Sequence, residues 1–481
     1  MLIVKQPMKQ QKTNLGLMGL TAIVVGGVIG GGIFNISKLL AEVASLGAIM
    51  ISWIISSIGL LSIAMTFRTL NRVRPDLSQG IYLYSKTGFG NYTGFNIAWG
   101  YWMGTAIGNV VLSVMLNDAF GLFFPVLLEH GWPTFIFASC FSWFFTLVVS
   151  FGLKLATTVN TLSTILKFSA LALIIILLFS FADYDMMRVD FWGKASHLGP
   201  LSRQVNSTLL TTLFFFIGIE GAIIVATRAR RPSDIGNATI LGTIICLILN
   251  IMVCILAFGF VSRQEMIQLD DPVIGQILGK SIGDWARIFV NISVIVSVAG
   301  AWLVSTIIAA ELPAAAARDR ILPHFFAWHN KNGSPVNALL INAGFIQLFL
   351  FITLLARNIY VLSADISGIL ILPTYILSAL FLIKIGLKKN IYQERAISRQ
   401  IAMLTGTITV VYCLWIIYAG NIHLLLLSSG VYVVGIFFYW FTHYKTIRSV
   451  KQLFTVGDRY VIALLIAATV FSILWEWKRL D

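Results

Sequence analysis

The sequence predicts an all-α membrane protein of about 12 or 13 transmembrane helices, in which the first and sixth helices are broken inside the membrane. Apolar runs of about 20 residues, the length that crosses a bilayer, recur between Leu15 and Leu474. Glycines cluster inside the first and the sixth of these runs. Only 11% of the 481 residues are charged, against about 25% in an average soluble domain. We therefore expect no separate soluble domain.

The apolar runs group into two sets of five, followed by a C-terminal set. We expect a short tail at residues 1–14, a first five-helix repeat at 15–181, and a second, inverted five-helix repeat at 206–384. Additional transmembrane helices are expected at 398–481. The last run, 461–474, is the shortest, so it either crosses the membrane as a thirteenth span or lies on its surface.

Lysine and arginine are concentrated in the loops on one side of the expected spans. Arg68, Arg72 and Arg74 follow the second span, and Arg230 and Arg231 follow the sixth. Because such residues favour the cytoplasmic side, we expect a multi-pass protein of a bacterial cytoplasmic (inner) membrane with its N-terminus, residues 1–14, in the cytoplasm. The net charge of +14 is scattered through short loops, which excludes a nucleic-acid-binding domain. The lipid bilayer is the expected partner, and a homodimer is left open.

Motifs for catalysis, metal binding and nucleotide hydrolysis are absent from the sequence. The four cysteines lie in apolar runs without CxxC spacing, which argues against a zinc site or a disulfide framework. The stretch closest to a phosphate-binding loop, IGQILGKS at 274–281, lacks the first glycine. No HExxH or GxSxG motif occurs. We expect no enzyme, no ATP-driven pump, no cofactor and no metal.

Glycine interrupts two spans at matching places in the two halves. The glycines concerned are Gly26, Gly27, Gly30, Gly31 and Gly32 in GGVIGGGIF, and Gly218 and Gly221 in FFFIGIEGAIIV. Unwound backbone at mid-membrane offers N–H groups to a carboxylate and carbonyl groups to an ammonium, so this pattern indicates an amino-acid site between inverted repeats. Close helix packing is the alternative explanation. We prefer packing for Gly100, Gly104 and Gly108 of span 3, but span 1 has more glycines than one packing face needs.

Two charged residues lie deep in apolar spans. Glu220 lies in the middle of span 6, and a carboxylate inside an apolar span is costly enough to indicate a function. Its protonation could be coupled to substrate charge or to gating. The alternative is that Glu220 is a structural partner for a buried polar group. Lys167 in span 5 has no carboxylate within a helical turn. It either extends to the inner interface or replaces a coupling cation near span 1. Glu311 and Asp365 are expected near span ends, where solvation makes a carboxylate less costly.

Four further residues could line a pocket for a cationic side chain: Tyr101 and Asn109 in span 3, Phe214 in span 6 and Trp302 in span 8. Taken singly, each type is more often part of a packed core.

Several stretches together resemble one known family. They are GGVIGGGIF, GFNIAWGYWMGTAIGN, FFFIGIEGA with RARRPSDIGNATILG, and AGAW leading to AAARDRILPHFFAWHNKNGSPVNALL. The chain is similar over most of its length to the amino acid, polyamine and organocation (APC) transporters, in the branch of the basic amino acid/polyamine antiporters. The resemblance implies the LeuT-like APC fold, with an inverted repeat of five plus five helices.

The resemblance also implies roles for individual residues. Residues 26–32 and Ile217, Gly218 and Glu220 would form the receptor for the substrate's amino and carboxylate groups. Asn109 would meet a guanidinium, Phe214 would stack on the side chain, and Trp302 would close over it. Glu220 matches the family's gating carboxylate, and Lys167 resembles a lysine of proton-coupled members. Two positions differ from the residues that are usual in the family: position 214 is Phe instead of Trp, and position 31 is Gly instead of Ser.

Within this branch the sequence resembles arginine/ornithine antiporters most. The resemblance implies secondary active antiport by alternating access, with external arginine exchanged for internal ornithine. Lysine or histidine exchanged for its decarboxylated amine, and a proton-coupled amino acid uniporter or symporter, are the alternatives. A nutrient-sensing receptor without transport is a further one.

Overall fold

The protein is described by a computed structural model that covers residues 15–77, 80–129, 131–354, 359–388, 392, 397–420, 422–443 and 453–480. The tail expected at 1–14 lies outside the described residues. Within them the chain is helical and contains no β-strand. A single parallel bridge pairs Leu15 with Ala229. The all-α fold class is therefore confirmed.

The described residues form eighteen α-helices. They are α1 (Leu17–Val28), α2 (Ile36–Val43), α3 (Leu46–Val73), α4 (Ile81–Phe89), α5 (Asn91–Gly121), α6 (Trp132–Ser150), α7 (Leu153–Phe181), α8 (Leu201–Phe214), α9 (Gly221–Ile224), α10 (Pro232–Ala257), α11 (Arg263–Met266), α12 (Val273–Ile282), α13 (Asp284–Arg318), α14 (Val336–Thr353), α15 (Ile359–Leu387), α16 (Arg399–Ala419), α17 (Ile422–His443) and α18 (Val456–Leu480).

Eleven helices of the described chain are long and apolar enough to cross a membrane. Two more crossings are made by pairs of shorter helices, α1 with α2 and α8 with α9, which are the spans that glycine interrupts. The protein is thus an integral, multi-pass membrane protein. The last helix begins at Val456, five residues before the expected run, and it has the length and composition of a span up to Trp475. The division into two five-helix repeats stays a prediction.

Three short helices, α4, α11 and α12, lie between the expected spans, where loops were expected. Helix α4 is bounded by Gly80 and Gly90, and the latter has a φ of +109°, which favours glycine. Helix α12 contains the stretch that superficially resembles a phosphate-binding loop. All three are about ten residues long or shorter, and a bilayer crossing needs about twice that length.

Successive spans alternate in direction, so the structure has two faces. On the N-terminal face, where α1 begins, the Lys86 ammonium donates to the Asp319 carbonyl at 3.1 Å. On the opposite face, the Gly47 N–H donates to the Phe191 carbonyl at 2.8 Å. Helices α5 and α13 pack against each other and are largely buried, whereas α18 is almost fully exposed to its surroundings. The centre of the bundle lies between α5, α13 and the two broken spans.

Candidate functional site at the two helix breaks

The break in the first span separates two kinds of backbone group. Helix α1 ends at Val28, and a 3-10 turn from Gly32 to Phe34 leads into α2. Among the described residues, no hydrogen-bond acceptor is found for the N–H groups of Gly31, Gly32 and Ile33. These are the first donors of the second helical segment, where the helix dipole favours an anion. The break therefore presents free N–H groups to the centre of the protein.

The break in the sixth span is a series of turns between α8 and α9. Phe216 N–H bonds to the Leu213 carbonyl at 2.8 Å, and Gly221 N–H bonds to the Gly218 carbonyl at 2.9 Å. Gly218 has a φ of +112°, a backbone conformation that residues other than glycine rarely adopt. The chain therefore turns at Gly218 instead of continuing the helix.

The two breaks contact each other through glycine. A Cβ atom built on Gly218 would lie 3.3 Å from the carbonyl carbon of Gly27 and 3.5 Å from the nitrogen of Val28. A Cβ on Gly32 would overlap the ring of Phe215. Larger residues at these positions would push the two spans apart.

A small cavity of about 90 Å³ lies at this contact. It is lined by Gly27, Val28, Gly30, Gly31 and Gly32 of span 1, by Phe214, Phe215, Ile217 and Gly218 of span 6, and by Tyr101, Thr105, Gly108, Val111, Leu112, Met115, Ser305, Ile308 and Ser367. Eight of the residues that the sequence analysis selected therefore line one cavity. They are Gly27, Gly30, Gly31, Gly32, Tyr101, Phe214, Ile217 and Gly218.

Lys167 holds the carbonyl groups of the first break. Its ammonium donates to the carbonyls of Gly26 at 3.0 Å and Ile29 at 2.8 Å, and to the Ser297 carbonyl of α13 at 3.3 Å. The residue is only 1% exposed. The interpretation that Lys167 extends to the interface is therefore wrong, because its side chain points to the end of α1. Within the described chain the carbonyls of Gly26 and Ile29 therefore have protein partners, whereas the N–H groups of Gly31, Gly32 and Ile33 have none.

Glu220 is held by two tyrosines directly beside the cavity. One carboxylate oxygen accepts a hydrogen bond from the Tyr101 hydroxyl and the other accepts one from Tyr375 at 2.8 Å. Gly218 N–H also donates to Glu220 Oε1 at 3.3 Å. The carboxylate is fully buried and does not line the cavity itself. Since Tyr101 lines the cavity, it connects Glu220 to whatever the cavity contains.

Besides Glu220, three predicted substrate-binding residues lie outside the cavity wall. Gly26 packs against Asn160 of α7, where a Cβ would overlap the amide. Asn109 is fully buried, and neither atom of its amide has a partner within the described chain. Trp302 is also buried, and its ring lies 5.3 Å from the ring of Phe145. In sequence, Asn109 follows the lining residue Gly108, and Trp302 lies about one turn before the lining residue Ser305.

The cavity is closed towards the N-terminal face. Arg228 and Glu311 form an ion pair at 3.0 Å, and their side chains are 4% and 3% exposed. Arg228 also donates to the Gly333 carbonyl at 3.1 Å. The expectation that Glu311 is solvated at a span end is therefore wrong, because its α13 neighbours and the loop 319–335 cover it. Leu15 N–H and the Arg228 carbonyl bond at 2.9 Å close by.

Towards the opposite face the protein is open. A second cavity of about 620 Å³, the vestibule, extends from Gly31 and Met115 to the loop residues Glu129 and Asp271. Gly31 and Met115 also line the small cavity, so the two spaces adjoin.

Sequence reasoning missed several residues of this region. Tyr375 was not selected, although it binds Glu220, and neither were the lining residues Ser305 and Ser367. A tyrosine two residues after Pro373 in an apolar span carries no local signal of its partner. Only the packing of α15 against α5 and α8 brings the two side chains together.

The chain is similar to known amino acid transporters along most of its length. A profile of the family described as amino acid permease matches residues 15–444. An arginine/agmatine antiporter of Chlamydia trachomatis serovar L2 is 38% identical over 429 residues, which cover 88% of this chain and 89% of that protein. One of Chlamydia pneumoniae is 38% identical over 433 residues, 89% of each chain. One of Chlamydia caviae is 37% identical over 481 residues, 98% of this chain and 99% of that protein.

Proposed function

Because this chain belongs to the amino acid permease family, we propose that it is an antiporter that exchanges external arginine for internal agmatine. The observation that carries the proposal is the small cavity between the two helix breaks, together with the names of relatives that match along nearly the whole chain. The resemblance of the sequence implied ornithine as the exported product. Because the relatives are named for agmatine, we prefer the decarboxylated amine.

The free N–H groups at the first break are suited to the carboxylate of arginine. Gly31, Gly32 and Ile33 offer three donors at the start of a helical segment, and together they can bind an anion. Agmatine has no carboxylate and cannot use them. Binding of both substrates therefore has to depend on the cationic groups that they share.

The aromatic and amide groups of the site are candidates for those cationic groups. Phe214 presents a ring to the cavity, and a guanidinium over an aromatic face gains about 0.5–2 kcal/mol. Asn109 has a buried carbonyl oxygen without a partner, which could accept from a guanidinium after a small movement of the wall. Trp302 could contribute the face of its buried indole ring, because the indole N–H is a donor and cannot itself bind a cation. We propose these three residues, with Tyr101 and Glu220, as the side-chain receptor.

The open vestibule and the closed N-terminal face support alternating access. Release to the N-terminal face requires separation of the Arg228–Glu311 pair and movement of Tyr101 and Tyr375 around Glu220. The excess of lysine and arginine on that face supports a cytoplasmic N-terminus. We propose that the vestibule faces the outside of a bacterial inner membrane.

The decisive experiment measures whether the exchange moves net charge across the membrane. At neutral pH arginine carries one net positive charge and agmatine carries two, so this exchange moves one charge across the membrane, whereas arginine/ornithine exchange moves none. Proteoliposomes loaded with either amine should take up labelled arginine. With agmatine inside, a 100 mV potential that is positive inside should favour uptake by about 2.3 kcal/mol, and with ornithine inside it should have no effect.

Each result separates the candidates. Uptake that requires internal agmatine supports the proposal, and uptake that requires internal ornithine restores the first preference. Uptake into empty vesicles, driven by a proton gradient, would identify a proton-coupled uniporter or symporter. Absence of uptake for arginine, lysine and histidine under all conditions would contradict transport.

A further inference from the structure

A third cavity, of about 500 Å³, lies at the N-terminal face, and we call it the basal cavity. It is found where the end of α4 and the start of α5 meet the segment after α13 and the end of α17. No residue of the two helix breaks lines it, so it is separate from the small cavity. Its charged and strongly polar lining residues are Lys86, Asn91, Asp319, Arg320, His324 and His443.

Positive charge exceeds negative charge in the basal cavity. Lys86 and Arg320 are its two permanent cations, and Asp319 is its one carboxylate. Asp319 accepts a hydrogen bond from the Tyr82 hydroxyl at 2.7 Å and forms no ion pair within the described chain. Lys86 donates to the backbone carbonyl of Asp319 at 3.1 Å, and the Arg320 guanidinium has no partner among the described residues. Most donors of the two cations are therefore unused.

The start of α5 adds to this positive potential. Asn91 lines the basal cavity and is the first residue of this helix of 31 residues. Within the described chain no acceptor is found for the N–H groups of residues 91–93. The opposite pole of α13 ends nearby, but Ile321 N–H donates to the Ala316 carbonyl at 2.8 Å there. A free helix start beside two cations favours an anion.

Tyr439 of α17 supplies a donor that the protein itself does not use. The residue lines the basal cavity and is only 3% exposed. No hydrogen-bond partner of its hydroxyl is found in the described chain, yet this oxygen is not sealed in the core, so it reaches the cavity surface. Buried tyrosine hydroxyls usually have a partner. The orphaned hydroxyl therefore indicates an acceptor that comes from outside the chain.

The basal cavity lies at the edge of the membrane-spanning part. Phe325 and Phe441 are each 44% exposed, and they are the sequence neighbours of the lining residues His324 and Thr442. Exposed aromatic rings beside cationic side chains are typical of the level at which lipid headgroups lie. Asp458 of α18 acts on Tyr439 from outside the cavity, but it accepts from Thr455 N–H at 2.8 Å.

We propose that the basal cavity binds a phosphate group. Lys86 and Arg320 supply charge, and the Tyr439 hydroxyl and the start of α5 supply directed donors to the phosphate oxygens. The exposed rings favour the headgroup of an anionic lipid over soluble phosphate as the source. The bound phosphate connects α4, α13 and α17 at the N-terminal face, and its binding does not depend on which amino acids are exchanged.

The experiment counts retained lipid. Full-length protein is released from nanodiscs of equal parts phosphatidylglycerol and phosphatidylcholine, whose phosphate is paired with its own choline, and is measured by native mass spectrometry. The wild type should retain one phosphatidylglycerol more than Arg320→Gln or Tyr439→Phe. The affinity of Arg320→Gln for this lipid should be about tenfold lower, as expected for the loss of a hydrogen bond between charged groups.

Each variant has a matched control. Arg231→Gln removes an exposed guanidinium from the same face, and Arg231 lines none of the three cavities. Tyr92→Phe removes a buried hydroxyl whose ring lies 5.2 Å from that of Tyr439. Both controls should retain the wild-type number of lipids. If Arg320→Gln is not monodisperse, Arg320→Gly replaces it, because Arg320 has a φ of +58°, which glycine adopts readily.

A second arm identifies the source of the phosphate. Inorganic phosphate is titrated into the protein in nanodiscs of phosphatidylcholine alone, and the temperature of thermal unfolding is measured. A rise in the wild type that is absent from Arg320→Gln and Tyr439→Phe would support the site with soluble phosphate as its ligand. No rise, together with retained phosphatidylglycerol, would support the lipid.

Two outcomes would overturn the site. The first is equal retention of phosphatidylglycerol by the wild type, Arg320→Gln and Tyr439→Phe, without a response to phosphate. The second is an equal, salt-dependent loss of lipid in Arg320→Gln and Arg231→Gln, which would reduce the basal cavity to general surface attraction. Neither readout uses transport, so a failure of the proposed function would be seen separately, as absence of arginine exchange in wild-type vesicles.

Discussion

The two helix breaks that form the central cavity are stabilised by opposite charges. At the first break, the Lys167 ammonium donates to the carbonyls that α1 leaves unsatisfied. At the second, the Glu220 carboxylate accepts from Gly218 N–H and from two tyrosines. A buried charge is costly unless hydrogen bonds compensate for it, and each of these charges has at least three.

The difference lies in where each charge is attached. Lys167 belongs to α7 and fixes the first break to α7 and α13. Glu220 belongs to the break itself and connects it to α5 and α15 through Tyr101 and Tyr375. The breaks are therefore anchored to different helices, so one set of contacts can change while the other persists. We expect Lys167 to be a permanent anchor and Glu220 to be the anchor that changes during transport.

Lys167→Met should have the largest effect. It removes the donor of the Gly26 carbonyl and one of the two donors of the Ile29 carbonyl, which keeps Ser297 Oγ at 3.3 Å. A buried group left unsatisfied costs about 1–3 kcal/mol. We expect at least about a hundredfold loss of exchange, together with a lower temperature of thermal unfolding. The control Lys154→Met removes an exposed ammonium from the same helix. Normal thermal stability of the Lys167 variant would contradict a permanent anchor.

Glu220→Gln should slow transport more than it destabilises the protein. The amide retains one acceptor for a tyrosine hydroxyl, but it cannot change its charge during the cycle. We expect a tenfold to hundredfold lower kcat, for loss of charged hydrogen bonds of about 1.5–3 kcal/mol, and a flatter dependence of exchange on pH. Glu265→Gln, on the exposed α11, is the control. An unchanged rate and pH profile would remove Glu220 from the mechanism.

Tyr375→Phe tests one contact of the changing anchor. Loss of a hydrogen bond to a charged group, about 1.5–3 kcal/mol, should lower exchange about tenfold without unfolding the protein. The control Tyr432→Phe removes a hydroxyl that bonds to the Leu370 carbonyl of the same helix, α15. Equal rates for the two variants would show that the Glu220–Tyr375 contact is only structural.

Phe214→Leu should have the smallest effect, because this ring belongs to neither anchor. The ring is only partly buried, so the lost cation–π contact contributes about 0.5–1 kcal/mol, which predicts a KM for arginine about two- to fivefold higher, with kcat and thermal stability preserved. Phe437→Leu, an exposed phenylalanine of α17, is the control. A normal KM in exchange assays would show that the ring only fills space.

The breaks themselves were predictable because their cause is local. Five glycines within seven residues remove the side chains that a continuous span needs, and Gly218 and Gly221 do the same in the second half. The presence of most spans followed from run length alone. Helix α4 was not predicted because a nine-residue segment between two glycines is too short to stand out in a hydropathy profile.

The partners of the buried charges were not predictable. Neither the bonds of Lys167 to span 1 nor the pairing of Arg228 with Glu311, which are 83 residues apart, leaves a pattern along the chain. The direction in which a side chain points from a central helix could not be predicted from the sequence either. Trp302 was expected at the cavity, yet Ser305 and Ile308 line it from the same helix. A helix buried on most sides has no polar stripe that would show which face meets the cavity.

The contact between Leu15 and the segment after α9 is a weak latch on the N-terminal face. It consists of two backbone hydrogen bonds, from Leu15 N–H to the Arg228 carbonyl at 2.9 Å and from Arg230 N–H to the Leu15 carbonyl at 2.8 Å. Bonds of this kind contribute about 0.5–1.5 kcal/mol each, so the pair favours the closed state by a factor of about 5 to 150 at 25 °C. Two such bonds alone are therefore too weak to keep the N-terminal face closed, and most of the closure has to come from other contacts, such as the buried Arg228–Glu311 pair.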